Sequence, residues 1–240
     1  MKFRSCLAAL LPLPAFLTSA GAAAVAVPNA SFESPATPGS FTEIPVDAPG
    51  VFGAWEKFGN FTASYHMATF GGLPANAAGS QALTLNGGFA MVFQDVANYS
   101  GGGSAGQYWR AGFTYTLTVG VGLRGDNAPA ANSALDLRFF HRAADQAGAN
   151  VLGTTVVTVG LNPVNATTGG GLLTDYTLSH TVAPGAPEEG RPVGLWLFAH
   201  DGNGDWALDN VRLDSSPVPE PAGSLLGLLA AAALSGRRRR

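Results

Sequence analysis

Every second residue of FTYTLTVGVGL, residues 113–123, is apolar: Tyr115, Leu117, Val119 and Val121 fall on one side of an extended chain, Thr114, Thr116 and Thr118 on the other. A period of two fits a half-buried strand and no helix. The pattern recurs. ALDLRFFHR (134–142) sets Leu135, Leu137 and Phe139 against Asp136, Arg138 and Phe140, and VLGTTVVTVG, LLTDYTLSHTV, PVGLWLFAH and DWALDNVRL read as further strands. QALTLNG (81–87) and GFAMVFQDV (88–96) meet at Gly-Gly and read as a hairpin. No long amphipathic helical period occurs between residues 27 and 217, and Gly, Pro and Asn separate the strands. Antiparallel strands with one apolar face bury it by packing sheet on sheet. The expected fold is all-β, an antiparallel jelly-roll β-sandwich.

The two ends have a different character. Lys2 and Arg4 precede an apolar run to about Leu17 and then the small-residue stretch TSAGAAAVA, the order of a secretory signal peptide. Pro12 and Pro14 argue against a membrane anchor. Ala24-Val25-Ala26 fits a small-x-small cleavage site, which places the mature start at Val27, with a cut after Ala24 as the alternative. At the other end, Ala222–Leu234 carries no charge and is followed by Arg237, Arg238, Arg239 and Arg240. The stretch is short for a membrane span, but long arginine side chains can snorkel and lengthen it, and they hold that end in the cytoplasm. The expected organisation is a signal peptide over 1–26, a sandwich over 27–216 and a C-terminal segment with a short transmembrane helix over 217–240.

Removing residues 1–26 and 222–240 takes six of the 13 basic residues and none of the 16 acidic ones. An acidic exported domain without a basic patch is not a nucleic-acid binder. The single cysteine, Cys6, leaves with the signal peptide, so no disulfide holds the remainder. About 190 residues suffice for one core.

Pro219-Glu220-Pro221, an apolar stretch and an arginine cluster at the extreme C-terminus, paired with a signal peptide, resemble the PEP-CTERM sorting signal of exopolysaccharide-producing Gram-negative bacteria. The resemblance implies cleavage at Pro219-Glu220-Pro221 by an exosortase, with transient anchorage in the inner membrane. Release to the cell surface or extracellular matrix would follow. A second resemblance runs through the body: Asn29-Ala30-Ser31-Phe32-Glu33, Trp55, Phe93-Gln94-Asp95-Val96, Gly112-Phe113-Thr114-Tyr115-Thr116-Leu117 and Asp209-Asn210-Val211-Arg212-Leu213. That order is similar to the galactose-binding-like sandwich of several carbohydrate-binding modules. It implies a structural calcium shared by Glu33 and Asp209, on the first and last strands; the alternative is that both acids are solvated or bonded to turns. Asp201, Asn203 and Asp205 match half a calcium loop, but Arg212 stands where its bidentate Glu belongs, so DGNGD reads as a hairpin turn.

Sugar binding needs aromatic faces beside polar groups. Tyr108 and Trp109, after GGGSAGQ, are the leading candidates, with Tyr99 and Trp206; Trp55 and Trp196 read as core. Catalysis is not expected. His66, His141, His180 and His200 lack metal spacing, no G-x-S-x-G occurs, and Glu188-Glu189 sits in a turn-rich loop that reads as solvated. The sequence therefore points to an exported surface protein binding a glycan such as exopolysaccharide. A purely structural matrix protein is the alternative, and a secreted hydrolase comes third.

Overall fold

The computed structural model describes residues 21–34, 36, 41–43, 54–57, 63–67, 73–86, 90–99, 107–123, 129, 133–142, 149–158, 171–200 and 204–219. The chain divides into two compact units. One is Ala22–Val218; the other joins the two ends, Met1–Gly21 and Pro219–Arg240. Apart from Gly21 and Pro219, that second unit lies outside the described residues. The apolar signal-peptide run, Glu220, Pro221, the expected C-terminal helix and Arg237–Arg240 all fall there. Among the described residues no helix is long and apolar enough to cross a membrane.

The first unit is two antiparallel sheets. In the larger, the order is β10 (Thr174–Thr181), β7 (Phe113–Leu123), β12 (Asp205–Pro217), β5 (Gln81–Asn86), β4 (Ala63–Met67) and β2 (Phe41–Glu43), with β1 (Ala23–Val25) paired to β12. In the smaller it is β3 (Glu56–Lys57), β6 (Ala90–Asp95), β11 (Gly194–His200), β8 (Ala134–Arg142) and β9 (Ala149–Thr158). The expected antiparallel β-sandwich is present.

Alternation sorts the faces as expected along β7 and β8. Tyr115, Leu117, Val119 and Val121 are buried, and so are Leu135, Leu137 and Phe139. They meet Leu83, Leu85, Leu195, Leu197, Trp206 and Leu208 in one core. The threonines of β7 lie on the outer face of the larger sheet, where Thr114 and Thr116 bond the hydroxyls of Thr181 and Ser179 across β10.

Two turns differ from expectation. β5 and β6 are not a hairpin, because β5 pairs with β4 and β12 in one sheet and β6 with β3 and β11 in the other. Likewise β11 and β12 lie in different sheets, so they are not a hairpin either; Asp201 and Asn203 lie outside the described residues. An alternating run marks its apolar face but not its neighbour, and in both cases the two successive strands find their partners in different sheets.

Gly194 has a specific packing role. A Cβ there would come within 2.6 Å of the Phe140 ring and of the Phe140 carbonyl oxygen. The Phe140 ring therefore occupies the space that a side chain on β11 would fill. Gly194→Ala is expected to destabilise the sandwich by about 1–3 kcal/mol through overpacking. Thermal unfolding would read this as a drop of roughly 2–4 °C per kcal/mol; an unchanged midpoint would mean Phe140 does not need that space.

Candidate functional site

The residues singled out from the sequence do not gather at one place. Trp109 is fully buried, donates its indole N–H to the Phe140 carbonyl at 3.3 Å, and packs edge-on against Tyr115 and Phe139. Trp206 is also fully buried, in the shared core. Neither presents a face to a ligand, which corrects the expectation from the sequence. Trp109 follows a glycine-rich loop, but its backbone is stitched to Arg191 and Gly190, which draws the ring inward. Tyr108 is half-buried, forms a bridge with Pro192 and accepts the Tyr115 hydroxyl on its carbonyl. Tyr99 ends a 3-10 turn, Val96–Tyr99, and its side chain lies outside what is described. Trp55 is core as expected, with Nε1 bonded to the Asn29 carbonyl at 3.0 Å. Glu188 is buried and lies 3.0 Å from His180 Nε2, so it is not the solvated charge that its loop suggested.

Glu33 and Asp209 do converge, although Glu33 follows a turn rather than lying on a strand. Both grip the turn that leads into β5. Glu33 accepts from the Ser80 and Gln81 amides and the Ser80 hydroxyl, each at 2.9 Å. Asp209 Oδ2 accepts from the Ala78 amide at 2.6 Å, and its Oδ1 from the Asn210 amide at 2.7 Å. Gly79, at φ 78°, has no room for a Cβ, which would stand 2.4 Å from the Glu33 carboxyl carbon. Asp209 is completely buried. Burial first, and then the neighbouring Glu33 charge, push its carboxyl up to about 7 against the pull of its two amide donors.

Two hard carboxylates beside one another suit Ca²⁺, provided that carbonyl oxygens complete the shell. Among the described residues no group of three or more His, Cys, Asp or Glu could hold a metal. Without a bound cation, the raised Asp209 carboxyl binds its proton more tightly folded than unfolded. Its stabilising contribution is therefore full below about pH 4 and is lost as pH rises through about 7. In chelator, the loss expected from this group is on the order of 4 kcal/mol, at 1.36 kcal/mol per unit. Denaturant unfolding from pH 4 to pH 8 measures it, and Asp209→Asn should flatten that part of the slope.

A different cluster has the makings of a site: the outer face of the smaller sheet. Phe93, Trp196 and Arg138 stand abreast on β6, β11 and β8. Met91, Phe198 and Asp136 form the row beside them, and Asp95, Gly194 and Phe140 the row on the other side. Trp196 therefore faces outward, contrary to its sequence reading, because Leu195 and Leu197 are the members of β11 that enter the core. Two arginines lie over these rings. Arg138 is 5.0 Å from the Trp196 centroid and 5.2 Å from Phe198, and it pairs with buried Asp136. Arg142 is 5.1 Å from Phe93 and 5.8 Å from Phe140, and its Nε meets Asp95 Oδ2 at 2.6 Å.

Asp95 is nearly inaccessible, and burial raises its carboxyl despite the bond to Arg142. The Trp196 Nε1–H is buried without a hydrogen-bond partner among the described residues, which costs about 1–3 kcal/mol for a donor left unsatisfied. Sequence reasoning passed over this face because its members are one per row on three strands, with no spacing to betray them. The usable signal was the row of charged residues opposite Leu135, Leu137 and Phe139.

Solved structures with this fold are known. A cyclase from Fischerella sp. in its apo form superposes with a TM-score of 0.53 at 18% identity, covering 83% of this chain and 98% of that one. The Stig cyclase FisC of Fischerella sp. TAU, in complex with (3Z)-3-(1-methyl-2-pyrrolidinylidene)-3H-indole, gives 0.52 at 16% identity over 82% and 99%. More distant is the CBM22-1 xylan-binding domain of Paenibacillus barcinonensis Xyn10C, at 0.41 and 11% identity over 73% and 94%. No curated protein matches the sequence. A family described as HpiC1 cyclase matches residues 23–214. This overturns the expectation that the chain is not an enzyme. That expectation rested on the lack of linear catalytic motifs, which a lone acid on a strand need not form. Matched over all but its two ends, the chain belongs to the HpiC1-like cyclase family.

Proposed function

We propose that this protein is an exported cyclase-family enzyme whose site is the outer face of the smaller sheet, with Asp95 as its proton donor. The observation that carries the reading is the Asp95–Arg142 pair set among Phe93 and Phe140. Burial raises the Asp95 carboxyl, which favours the protonated form that a donor needs. Handed to an unsaturated carbon or nitrogen of the substrate, that proton leaves a cation, which aromatic faces stabilise. The carboxylate left behind is held by Arg142. The cyclised cation then loses a proton to Asp95, so the reaction is a net isomerisation. Planar indole compounds of the kind bound by the Fischerella sp. TAU cyclase match the aromatic lining.

A second reading is the glycan, such as the host's exopolysaccharide. It is favoured by the half-buried Trp196 ring on the outer face, a surface on which a sugar could stack. In either reading, export to the surface of a Gram-negative cell rests on the signal peptide. Exosortase processing rests on Pro219-Glu220-Pro221 and the Arg237–Arg240 cluster, and transient inner-membrane anchorage on the apolar stretch before it.

Calcium belongs to the fold in this proposal and not to the chemistry. Glu33 and Asp209 would be its carboxylate ligands, and it would neutralise the two charges that now face each other. Added at pH 8 to chelated protein, Ca²⁺ should raise the unfolding midpoint; no change in wild type would remove it from the proposal.

The deciding experiment titrates the folded unit, residues 22–218, with indole compounds and with host exopolysaccharide, reading tryptophan fluorescence and product. For the cyclase reading, Asp95→Asn should lower turnover about 10²–10⁴-fold with binding retained. Wild-type turnover should fall as pH rises through the raised Asp95 value. Saturable binding of polysaccharide alone, lost in Trp196→Ala, would select the second reading. Binding of neither by a folded protein would exclude this face.

A further inference from the structure

We propose that the leader is cut after Ala22, so that the mature chain begins at Ala23 and keeps β1. This rests on the export reading above but concerns a different bond from the two that the sequence suggested. Ala24 lies inside β1, and Ala26 immediately follows it. Ala23, Ala24 and Val25 pair in register with Ser215, Asp214 and Leu213 of β12. Val25 is 7% exposed and belongs to the core cluster. The Ala26 carbonyl accepts the Gln107 side-chain amide at 3.0 Å.

A cut after Ala26 would remove every one of these contacts. It would also uncover β12 at residues 213–215, where β7 holds one side and only β1 the other. An unpaired edge beside buried Leu213 invites pairing with another chain. A cut after Ala24 would leave Val25 as a charged terminus against the core.

The residues immediately upstream satisfy the peptidase equally well. Ala20-Gly21-Ala22 is itself small-x-small. Two boundaries coincide with it, β1 at Ala23 and the family match at residue 23, and the compact unit begins one residue earlier, at Ala22. The other end is laid out in the same way. β12 closes at Pro217, the Val218 amide donates to the Gly112 carbonyl at 2.8 Å, and Pro219 follows at once. Because β1 runs antiparallel to β12 with Ala23 opposite Ser215, the chain enters and leaves the sandwich side by side. Leader and tail can therefore both be cut away without loss of a core residue.

The test is N-terminal sequencing and intact mass of the full chain exported by its own host. The expected N-terminus is Ala23. An N-terminus at Val25 or Val27 would overturn the inference while leaving export intact; a chain that retains residues 1–20 would overturn both. Two variants separate the sites without disturbing the core, since Ala22 and Ala26 are both exposed. Ala22→Phe should abolish the Ala23 terminus, and Ala26→Phe should leave it unchanged. Loss of processing in Ala26→Phe alone would point back to the downstream site.

Discussion

The bulge in β12 at Asp209 is the point on which the rest of the sandwich depends. Before it, residues 205–208 pair with β5; after it, residues 213–215 pair with β1. The register against β7 shifts between Asp209 and Arg212, and Asn210 takes a left-handed φ of 54° to make the change. One strand thus serves two different neighbours, and the side chains at the switch bind what each neighbour brings. Asp209 holds the turn before β5, Asn210 Nδ2 donates to the Asn76 carbonyl, and the Val211 amide reaches Ala30 in the segment after β1. Placing an acid at this knot is costly in isolation, since it is fully buried with Glu33 close by. The cost is met by amide donors, by a proton, or by a cation.

This arrangement matters more in a domain with no cysteine. Nothing covalent ties the opening segment to the closing strand, and the contacts at Asp209 and along β1 take that role. The smaller sheet adds to this from its inner side, where Gln94 Nε2 donates to the Pro28 carbonyl at 3.4 Å. Its outer face takes no part in the bonds made at Asp209, so charged and aromatic side chains there can be chosen for chemistry. Four charges nevertheless sit over one small area. They persist because each arginine pairs with a buried aspartate and lies over two rings, which compensates for lost hydration.

The sandwich could be read from the alternation of β7 and β8 because a period of two reports which face is buried. Partner choice could not. The runs at 81–87 and 88–96 carry the pattern of a hairpin, yet each finds its partners in a different sheet; pairing depends on distant strands that alternation does not encode. The Glu33–Asp209 contact was legible through resemblance at the two ends of the domain. The outer face was not, for a related reason. In PVGLWLFAH every residue from Val193 to Ala199 except Gly194 is apolar, so parity alone cannot say whether Leu195 or Trp196 faces the core. The answer comes from β8, where Arg138 stands opposite Trp196 and Phe139 opposite Leu195. Trp109 failed in the opposite direction, since a glycine-rich approach suggests exposure but the backbone bonds to residues 190 and 191 reverse it.

Family membership and site chemistry carry different weights. At 16–18% identity the superposed cyclases establish the fold and leave the substrate open. What this chain adds is its own face: two arginine–aspartate pairs set among aromatic rings, one of them at the nearly inaccessible Asp95. Such a surface holds a flat ring better than a phosphate or a polyanion, because neither guanidinium is free of its aspartate. It also tolerates a transient positive charge, which is what protonating a π-system creates. A hydroxyl-rich chain would use the same rings but would have no need of a buried acid whose carboxyl is raised. In the proposed reading, Asp95 is therefore the residue whose replacement separates an enzyme from a platform.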